Sequence, residues 1–353
     1  MSKRPTLKDV AAIAGVTTAT VARVLKNSGY VAAETRERVL KAVEQTGYRV
    51  NSLAQSLKRN RSYVIGHLLK STVPNPFYVE VARGVEEHAR ARGYTALTYN
   101  VQHDAKAERQ AINTLLGWRA DALIFSTPVE AANVEYVAQQ KVPLAQVERP
   151  RSPLGHRIVV HNYPSAVAAM RHLTDMGHRR IAYVGASLLP EDGPAALYGY
   201  VERERFEAFR DVMQQVGSLS EDLISFGEAY ITDVPTAQGH GYQATRALLA
   251  RRDRPTAIMA SNDILAAGAL QAIHEAGLRV PDDVSVIGFD DTIAAFLTPL
   301  LTTVRLPARR LGEMAARLVI DQIEGHGEVA PDGLALEAEL VIRKSTAPPP
   351  ARP

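Results

Sequence analysis

The chain has 353 residues, of which 46% are hydrophobic and 22% charged, and it contains no cysteine. This composition is typical of a globular protein with about two to three domains, and the lack of cysteine excludes disulfides, thiolate nucleophiles and cysteine-bound zinc. No stretch approaches the roughly 20 apolar residues that span a bilayer. The first ten residues, MSKRPTLKDV, lack the apolar core of a secretory signal. We therefore expect a soluble, cytoplasmic protein with no membrane partner.

The net charge of +3 hides an asymmetry along the chain. Residues 1–62 carry a net charge of +8, and the rest of the chain carries −5. A basic head on a mildly acidic body is typical of a polyanion-binding module joined to a separate globular domain. A basic surface without a partner gives the same count, so charge alone leaves both interpretations open.

Three short helices are predicted in the head. Thr6 and Asp9 have the spacing of a capping box, and the apolar residues that follow predict a helix over 7–14 that ends at Gly15. Thr17 is suited to cap a second helix that runs to Leu25. A third helix is expected over 33–46, with Val39, Leu40 and Val43 facing inward and no capping side chain at Ala32.

These elements favour a helix-turn-helix, since small residues at the front of the second helix allow close approach to DNA. A three-helix bundle without a DNA role is the alternative. The segments TLKDVAAIAGVTTATVARVL and TRERVLKAVEQTGYRVN resemble the DNA-binding head of the lactose repressor (LacI/GalR) family. Later motifs extend the resemblance over nearly the whole chain.

The resemblance implies that Thr18, Ala19 and Arg23 read bases in the major groove. Their chemistry agrees, because Arg can donate two hydrogen bonds to guanine and a methyl group can contact thymine. Contacts to the DNA backbone, which position the protein without specifying sequence, are expected from Thr6, Thr17, Thr20, Asn27, Tyr30, Thr35 and Asn51.

Residues 50–62 form a predicted hinge. Asn51 can cap a helix of about two turns, which is too short to be stable alone. In the family this segment folds on DNA and wedges a leucine into the minor groove, and Leu57 occupies that position. The alternative is an ordinary basic linker.

From residue 63 onward apolar strands alternate with helices, which predicts doubly wound parallel sheets. The resemblance implies a periplasmic-binding-protein-like α/β body of two lobes. We expect the first lobe to comprise 63–162 and 293–323 and the second 163–292 and 324–345, with a disordered tail at 346–353. The head is expected over 1–49. The tail has no heptad pattern, so a homodimer is expected rather than a coiled-coil tetramer.

Ligand sites in such bodies lie at the carboxyl ends of the strands. Polar and aromatic residues at predicted strand ends therefore form the candidate effector site, namely Phe77, Tyr78, Glu148, His161, Arg203, Tyr230, Asn262 and Asp290. Asp263 and Asp291 are weaker candidates, and for each residue the alternative is a helix cap or a structural hydrogen bond. Family members with sugar or purine effectors carry an Arg three residues before a Gly-aromatic pair. Here Glu202, Arg203 and Arg205 compete for that role.

The function expected from these features is a ligand-responsive transcriptional regulator, most simply a repressor. It would bind a palindromic double-stranded operator as a homodimer and answer to a small molecule such as a sugar or sugar derivative. The alternatives are an α/β carbohydrate-processing enzyme and a solute-binding protein. No motif of nucleophilic, metal-dependent or nucleotide-binding catalysis is present, and we expect no cofactor and no metal.

Overall fold

The computed structural model describes residues 5–25, 28–48, 61–69, 76–102, 104–150, 152–186, 199–227, 234–327 and 333–351. The side chains of 199–200 and 234–237 are outside this description. The chain divides into two units, a head over Met1–Ser62 and a body over Tyr63–Pro353.

The head contains the three predicted helices, α1 (Leu7–Ala14), α2 (Thr18–Leu25) and α3 (Ala33–Thr46). The carboxylate of Asp9 accepts hydrogen bonds from the amide and hydroxyl of Thr6, at 2.7 Å each, and this fixes the start of α1. Gly15 ends α1 in the left-handed conformation, with φ of +63°, which an L side chain rarely adopts. The three helices bury a small core of Val10, Ala11, Ala14, Val21, Val24, Val39 and Ala42.

The third helix differs from its prediction in one residue. Val39 and Ala42 are buried and Val43 is half-buried, but Leu40 is 51% exposed. The expectation that Leu40 faces inward was therefore wrong, because at 100° per residue Val39 and Ala42 define the inner edge and Leu40 lies beyond it. As predicted, Ala32 provides no side-chain cap.

The predicted hinge lies almost entirely outside the described residues. This applies to Asn51 and Leu57, and also to the backbone candidate Asn27 in the head. Their proposed roles stay predictions.

The body is built on two six-stranded sheets. The first has the order β11-β5-β4-β3-β1-β2 and the second the order β12-β10-β9-β8-β6-β7. The strands are β1 (Val64–Leu69), β2 (Thr95–Asn100), β3 (Ala122–Ser126), β4 (Leu144–Val147), β5 (His156–Val160), β6 (Ile181–Gly185), β7 (Ile224–Phe226), β8 (Ala257–Ala260), β9 (Ser285–Asp290), β10 (Thr302–Arg305), β11 (Leu334–Leu336) and β12 (Glu339–Val341). Of the strand pairs in the described part of the chain, only that of β12 with β10 is antiparallel. The predicted doubly wound parallel fold is confirmed.

Helices cover both faces of each sheet, as the alternation of strands and helices predicts. They are α4 (Phe77–Ala91), α5 (Ala105–Gly117), α6 (Ala131–Gln139), α7 (Asn162–Asp175), α8 (Gly199–Gln215), α9 (Val234–Leu249), α10 (Asp263–Glu275) and α11 (Ala308–Glu324). In the first lobe, α4 and α11 pack on one face and α5 and α6 on the other. In the second lobe, α7 and α8 lie opposite α9 and α10.

The chain crosses between the lobes after β5, after β10 and after β11. Each crossing leaves the carboxyl end of a strand that belongs to a parallel array. The carboxyl edges of the two sheets therefore face each other, which is where α/β folds place their ligands.

Two assignments near the C-terminus need correction. The segment 293–323 was assigned to the first lobe, but its strand β10 lies in the second sheet, and only α11 returns to the first. Residues 324–345 were expected to lie wholly in the second lobe. They contain two strands, with β11 on the first sheet and β12 on the second. Strands this short have too little hydrophobic periodicity to indicate which sheet they join. Their sheet is known only from the strands with which they form hydrogen bonds.

The expected disorder of the tail was also wrong for its first residues. The hydroxyl of Thr346 lies 3.0 Å from His172 Nε2, and the carbonyl of Ala347 accepts hydrogen bonds from His178 Nε2 at 2.8 Å and from the Ser285 hydroxyl at 3.0 Å. The tail is proline-rich, but here its backbone polar groups find partners in the second lobe. None of the described helices is long and apolar enough to cross a membrane.

Candidate functional site

The second helix of the head exposes the three predicted base-reading residues. Thr18, Ala19 and Arg23 are exposed, whereas Val21 and Val24, on the other side of α2, are buried. Ala19 and Arg23 are four residues apart, so they lie above one another on the same helix face. The Thr17 hydroxyl caps α2 by accepting a hydrogen bond from the amide of Thr20 at 3.2 Å. The exposed face of α2 therefore begins with the small residues Thr18 and Ala19 and carries the long cationic side chain of Arg23 one turn later.

The predicted DNA-backbone residues that the structure describes differ in how exposed their side chains are. Tyr30 is 93% exposed, and Thr6 and Thr17 are exposed, while Thr20 and Thr35 are half-buried. The hydroxyls of Thr6 and Thr17 already serve as donor to Asp9 and as helix cap. The exposed side chain of Tyr30 is therefore accessible to a phosphate.

At the carboxyl edge of the first sheet, three side chains form a buried polar cluster. Glu148, which is 6% exposed, accepts hydrogen bonds from the Tyr78 hydroxyl at 2.8 Å and from the Thr127 hydroxyl at 2.9 Å. Thr127 and Glu148 directly follow β3 and β4 and have positive φ of 60° and 69°. Strained backbone of this kind persists where the surroundings fix it, and it is concentrated at functional sites. Sequence analysis missed Thr127, although its place after β3 is a signal that could have found it.

Phe77 does not form the open aromatic face that was expected. It is 2% exposed and packs edge-on against Tyr78, with 5.3 Å between the ring centres. The first residue of α4 thus belongs to the core beneath the polar cluster, because the helix starts with its apolar face already turned to the sheet.

At the carboxyl edge of the second sheet, Arg205 of α8 is the central residue. Its guanidinium donates hydrogen bonds to the Asn162 side chain at 3.0 Å, to the Ser261 carbonyl at 2.6 Å and to the Asp290 carboxylate at 3.4 Å. It also lies 3.9 Å above the ring of Phe289. Arg205 is 5% exposed. Its planar guanidinium links α8 to the start of α7 and to the carboxyl ends of β8 and β9.

Arg203, which was placed in the candidate effector site while Glu202 and Arg205 were left as alternatives, is half-buried and makes none of these hydrogen bonds. The choice of Arg203 rested on an error of register. Arg205 precedes Ala208 and Phe209 by three and four residues, so Ala208 stands where the family pattern has glycine. Both Ala208 and Phe209 are buried in the core. Reading alanine as a substitute for glycine would have found Arg205 from the sequence.

Three other polar residues at this edge, Asn262, Asp263 and Asp291, accept hydrogen bonds from groups of the fold itself. Asn262 accepts a hydrogen bond from the amide of Leu265 at 2.9 Å, so the predicted alternative of a helix cap applies to it. Asp291 accepts from Arg305 and Arg343 at 2.7 Å each. Asp263 is fully buried, and burial, helped by the nearby charge of Asp290, raises its pKa to about 7. Its carboxyl group accepts hydrogen bonds from Thr303 and from the amide of Thr292.

Two further candidates lie elsewhere. His161 is exposed on the first crossing, 3.7 Å from Glu337 on the third crossing, and it contacts neither polar cluster. Tyr230 lies outside the described residues. Among the residues that the structure describes, no group of three or more acidic or histidine side chains could hold a metal ion.

Comparison with known proteins agrees with this architecture. Residues 6–51 match the model of bacterial regulatory proteins of the lacI family, and residues 170–346 match a periplasmic binding protein-like domain. The HTH-type transcriptional repressor PurR of Mannheimia succiniciproducens is 33% identical over 344 residues, which cover 96% of this chain and 98% of that protein. The chain belongs to the lacI family of bacterial regulatory proteins.

Other relatives place this family member among transcriptional regulators. The regulator DegA of Bacillus subtilis is 32% identical over 98% of this chain and 99% of its own length. The Lac repressor dimer bound to operator and the anti-inducer ONPF matches with a TM-score of 0.80 and 27% identity, covering 98% of this chain and 100% of that chain. A complex of the regulator CelR with cellobiose matches with a TM-score of 0.68 and 28% identity, over 97% and 100% of the two chains. This family member is a ligand-responsive, DNA-binding transcriptional repressor rather than an enzyme.

Proposed function

We propose that this repressor binds an inverted-repeat operator as a homodimer and is controlled by a sugar or sugar derivative held between its two lobes. The observation that carries the ligand site is the position of the two polar clusters. Tyr78, Thr127 and Glu148 lie at the carboxyl edge of the first sheet, and Arg205 and Asp290 lie at the carboxyl edge of the second. The lobe crossings hold these edges opposite each other.

The chemistry of the clusters suits a polyhydroxylated ligand. Buried carboxylates accept hydrogen bonds from hydroxyl groups, and the guanidinium donates to hydroxyl or ring oxygens. The crystallised relative CelR is named with cellobiose, and the Lac repressor relative with the anti-inducer ONPF. These names support, for this chain, a ligand of the same chemical kind.

On the DNA side, Thr18, Ala19 and Arg23 read base edges. Arg23 pairs with a guanine through two hydrogen bonds, while Ala19 and the Thr18 methyl contact a thymine methyl. Thr6, Thr17, Thr20, Tyr30 and Thr35, together with Asn27 and Asn51, contact phosphates. Leu57 enters the minor groove at the operator centre. In a bacterial cell this regulator works in the cytoplasm and on the nucleoid.

Control follows from coupling between the two sites. A ligand that prefers one arrangement of the lobes shifts operator affinity by the difference in its binding free energy for the two arrangements. The hinge, which is expected to fold only on DNA, is the segment through which that difference acts.

The proposal is tested in two steps with the full chain. First, DNA fragments are selected from a random pool, and the selected sequences are expected to contain an inverted repeat with one half-site per subunit. Second, affinity for the selected fragment is followed by fluorescence anisotropy while neutral hexoses, hexosamines and hexuronates are added singly. A change in the DNA affinity of wild type on addition of a sugar supports control by this class of ligand. Selection without an inverted repeat contradicts operator binding by a dimer, and no response to any sugar contradicts the ligand class.

A further inference from the structure

A second carboxylate, Glu202, lies at the carboxyl edge of the second sheet, beside the last residue of β6. It precedes Arg205 by one helical turn on α8 and is 7% exposed. Its Oε1 accepts a hydrogen bond from the Tyr183 hydroxyl at 2.7 Å, which is its one hydrogen-bond partner among the described residues. Its second oxygen has no assigned role in the fold.

Glu202 lies beside the carboxyl end of β6. A Cβ on Gly185, the last residue of β6, would lie 2.7 Å from Glu202 Oε1, so the carboxylate sits directly against a strand end that carries no side chain. The helix α8 begins at this edge. With a rise of 1.5 Å per residue, Glu202 is about 4.5 Å nearer the helix start than Arg205 is. Glu202 therefore lies nearer to the start of α8 than Arg205 does.

The position of the carboxylate is rigidly supported. The Tyr183 ring, which is fully buried, packs against Phe206, Phe209 and Phe226 with ring centres 5.2 to 5.6 Å apart. This aromatic cluster fixes both the hydroxyl that binds Glu202 and the helix that carries it. It also gives the carboxylate an apolar backing, in which an uncompensated charge is costly.

The contrast with the neighbouring buried carboxylates indicates what Glu202 lacks. Glu148 lies 3.6 Å from Arg149, Asp290 lies 3.4 Å from Arg205, and Asp291 binds Arg343. Glu202 has no ion pair among the residues that the structure describes.

A nearly buried carboxylate that has a neutral hydrogen-bond donor but no cation is a site for a cation from outside the chain. We propose that Glu202 binds a protonated primary amine of the effector, so that the effector is an amino sugar or a related polyhydroxylated amine. This inference rests on the proposed ligand cleft and adds the charge of the ligand to it. By the same geometry, Glu202 repels ligands that bear a carboxylate or phosphate at this position.

The test uses sets of sugars in which hydroxyl groups are replaced by an amine or a carboxylate. Glucose, glucosamine and glucuronate form one set, with the galacto and manno sets and the pair cellobiose and chitosan dimer added. Binding to the full chain is measured by calorimetry and thermal shift for wild type, Glu202→Gln and Glu207→Gln. In Glu202→Gln the new amide oxygen can still accept the hydrogen bond from Tyr183, and Glu207→Gln removes one carboxylate from the same helix as a control.

We expect at least one amine to bind wild type about tenfold more tightly than its neutral partner, a difference of roughly 1.4 kcal/mol. Glu202→Gln is expected to erase this preference, while Glu207→Gln leaves it intact. Equal affinity of wild type for amine and neutral partners overturns the inference, and so does an amine preference that survives in Glu202→Gln or the binding of no amine at all. If neutral sugars bind and alter DNA affinity without any amine preference, the proposed function stands and only this inference fails.

Discussion

Arg205 and Asp290 form a buried ion pair that ties a helix of the second lobe to the last residue of its central strand. The Arg205 Nη2 atom lies 3.4 Å from Asp290 Oδ1, and the two side chains are 6% and 4% exposed. Asp290 has a φ of +108°, a conformation that a non-glycine residue adopts only where its surroundings hold it. The pair thus fixes a strained strand end at the place where the ligand is proposed to bind.

Removal of the Arg205 guanidinium is expected to destabilise the body strongly. Arg205→Ala removes one partner of a buried ion pair, and breaking such a pair costs about 3–5 kcal/mol. Arg203→Ala is the matched control, because Arg203 is half-buried and makes none of the hydrogen bonds of Arg205. Urea unfolding of the three proteins measures the difference. Equal losses for the two variants would contradict the assignment of Arg205 as the central residue.

Arg23→Ala is expected to relax sequence choice more than it weakens DNA binding overall. A two-point contact with guanine provides about 1–3 kcal/mol of discrimination. Loss of a phosphate contact lowers affinity for all sequences alike. Arg38→Ala removes the same charge from an exposed site on α3 and serves as the control. Anisotropy titrations give, for each protein, the ratio of its affinity for the selected operator to its affinity for a scrambled duplex. A ratio for Arg23→Ala equal to that of wild type would falsify base reading by this residue.

Asp263 is expected to make the body less stable as pH rises. Its pKa is raised to about 7 in the folded chain from an ordinary value of 3.8, chiefly by burial. The folded chain therefore holds a proton that the unfolded chain releases between those two pH values. The contribution to stability is complete below pH 3.8 and is lost as pH rises toward 7. In Asp263→Asn this slope should disappear, so the free energy of unfolding of the variant improves relative to wild type between about pH 4 and 7. Parallel pH profiles for the two proteins contradict the prediction.

His67 is expected to act in the opposite direction. It is fully buried on β1 with Nε2 2.8 Å from the Ser126 hydroxyl, and burial lowers its pKa to about 4. The folded chain keeps His67 neutral, so its contribution to stability is complete above pH 6.5 and is lost as pH falls toward 4. The resulting change in the free energy of unfolding between pH 6.5 and 4 is about 3 kcal/mol at most. Denaturation at several pH values compares wild type with His67→Gln, and the exposed His326→Gln is the control. Equal slopes for wild type and His67→Gln would contradict a neutral buried histidine.

Ser345 is expected to matter although it lies near the end of the chain. It is fully buried, accepts a hydrogen bond from the amide of Thr302 at 2.8 Å and donates one to the Val286 carbonyl at 2.6 Å. Ser345→Ala leaves both buried backbone groups without this partner, at a cost of about 1–3 kcal/mol. Lys344→Ala, at an exposed neighbouring position, should be nearly neutral. Thermal and urea unfolding test the pair, and equal stability of wild type and Ser345→Ala would show that this end of the chain does not brace the second sheet.

The head was predicted well because its signals are local. A capping box, a glycine that ends α1 and a threonine that caps α2 each act within four residues, so the sequence alone carries them. The misplaced core residue was Leu40, which lies one position beyond the inner edge of α3.

The sequence by itself determined the class of the body, through strands alternating with helices, and the nature of the head, through short-range caps and spacing. Tertiary structure alone decided which sheet receives β10, β11 and β12, because three- and four-residue strands have too little pattern to choose a partner. It also decided that Phe77 lies in the core, and it showed that Arg205 reaches Asp290, a role that the sequence indicates only when Ala208 is read in place of glycine. These are properties of side chains brought together from distant parts of the chain. Only the folded packing fixes which of several similar neighbours points into the cleft.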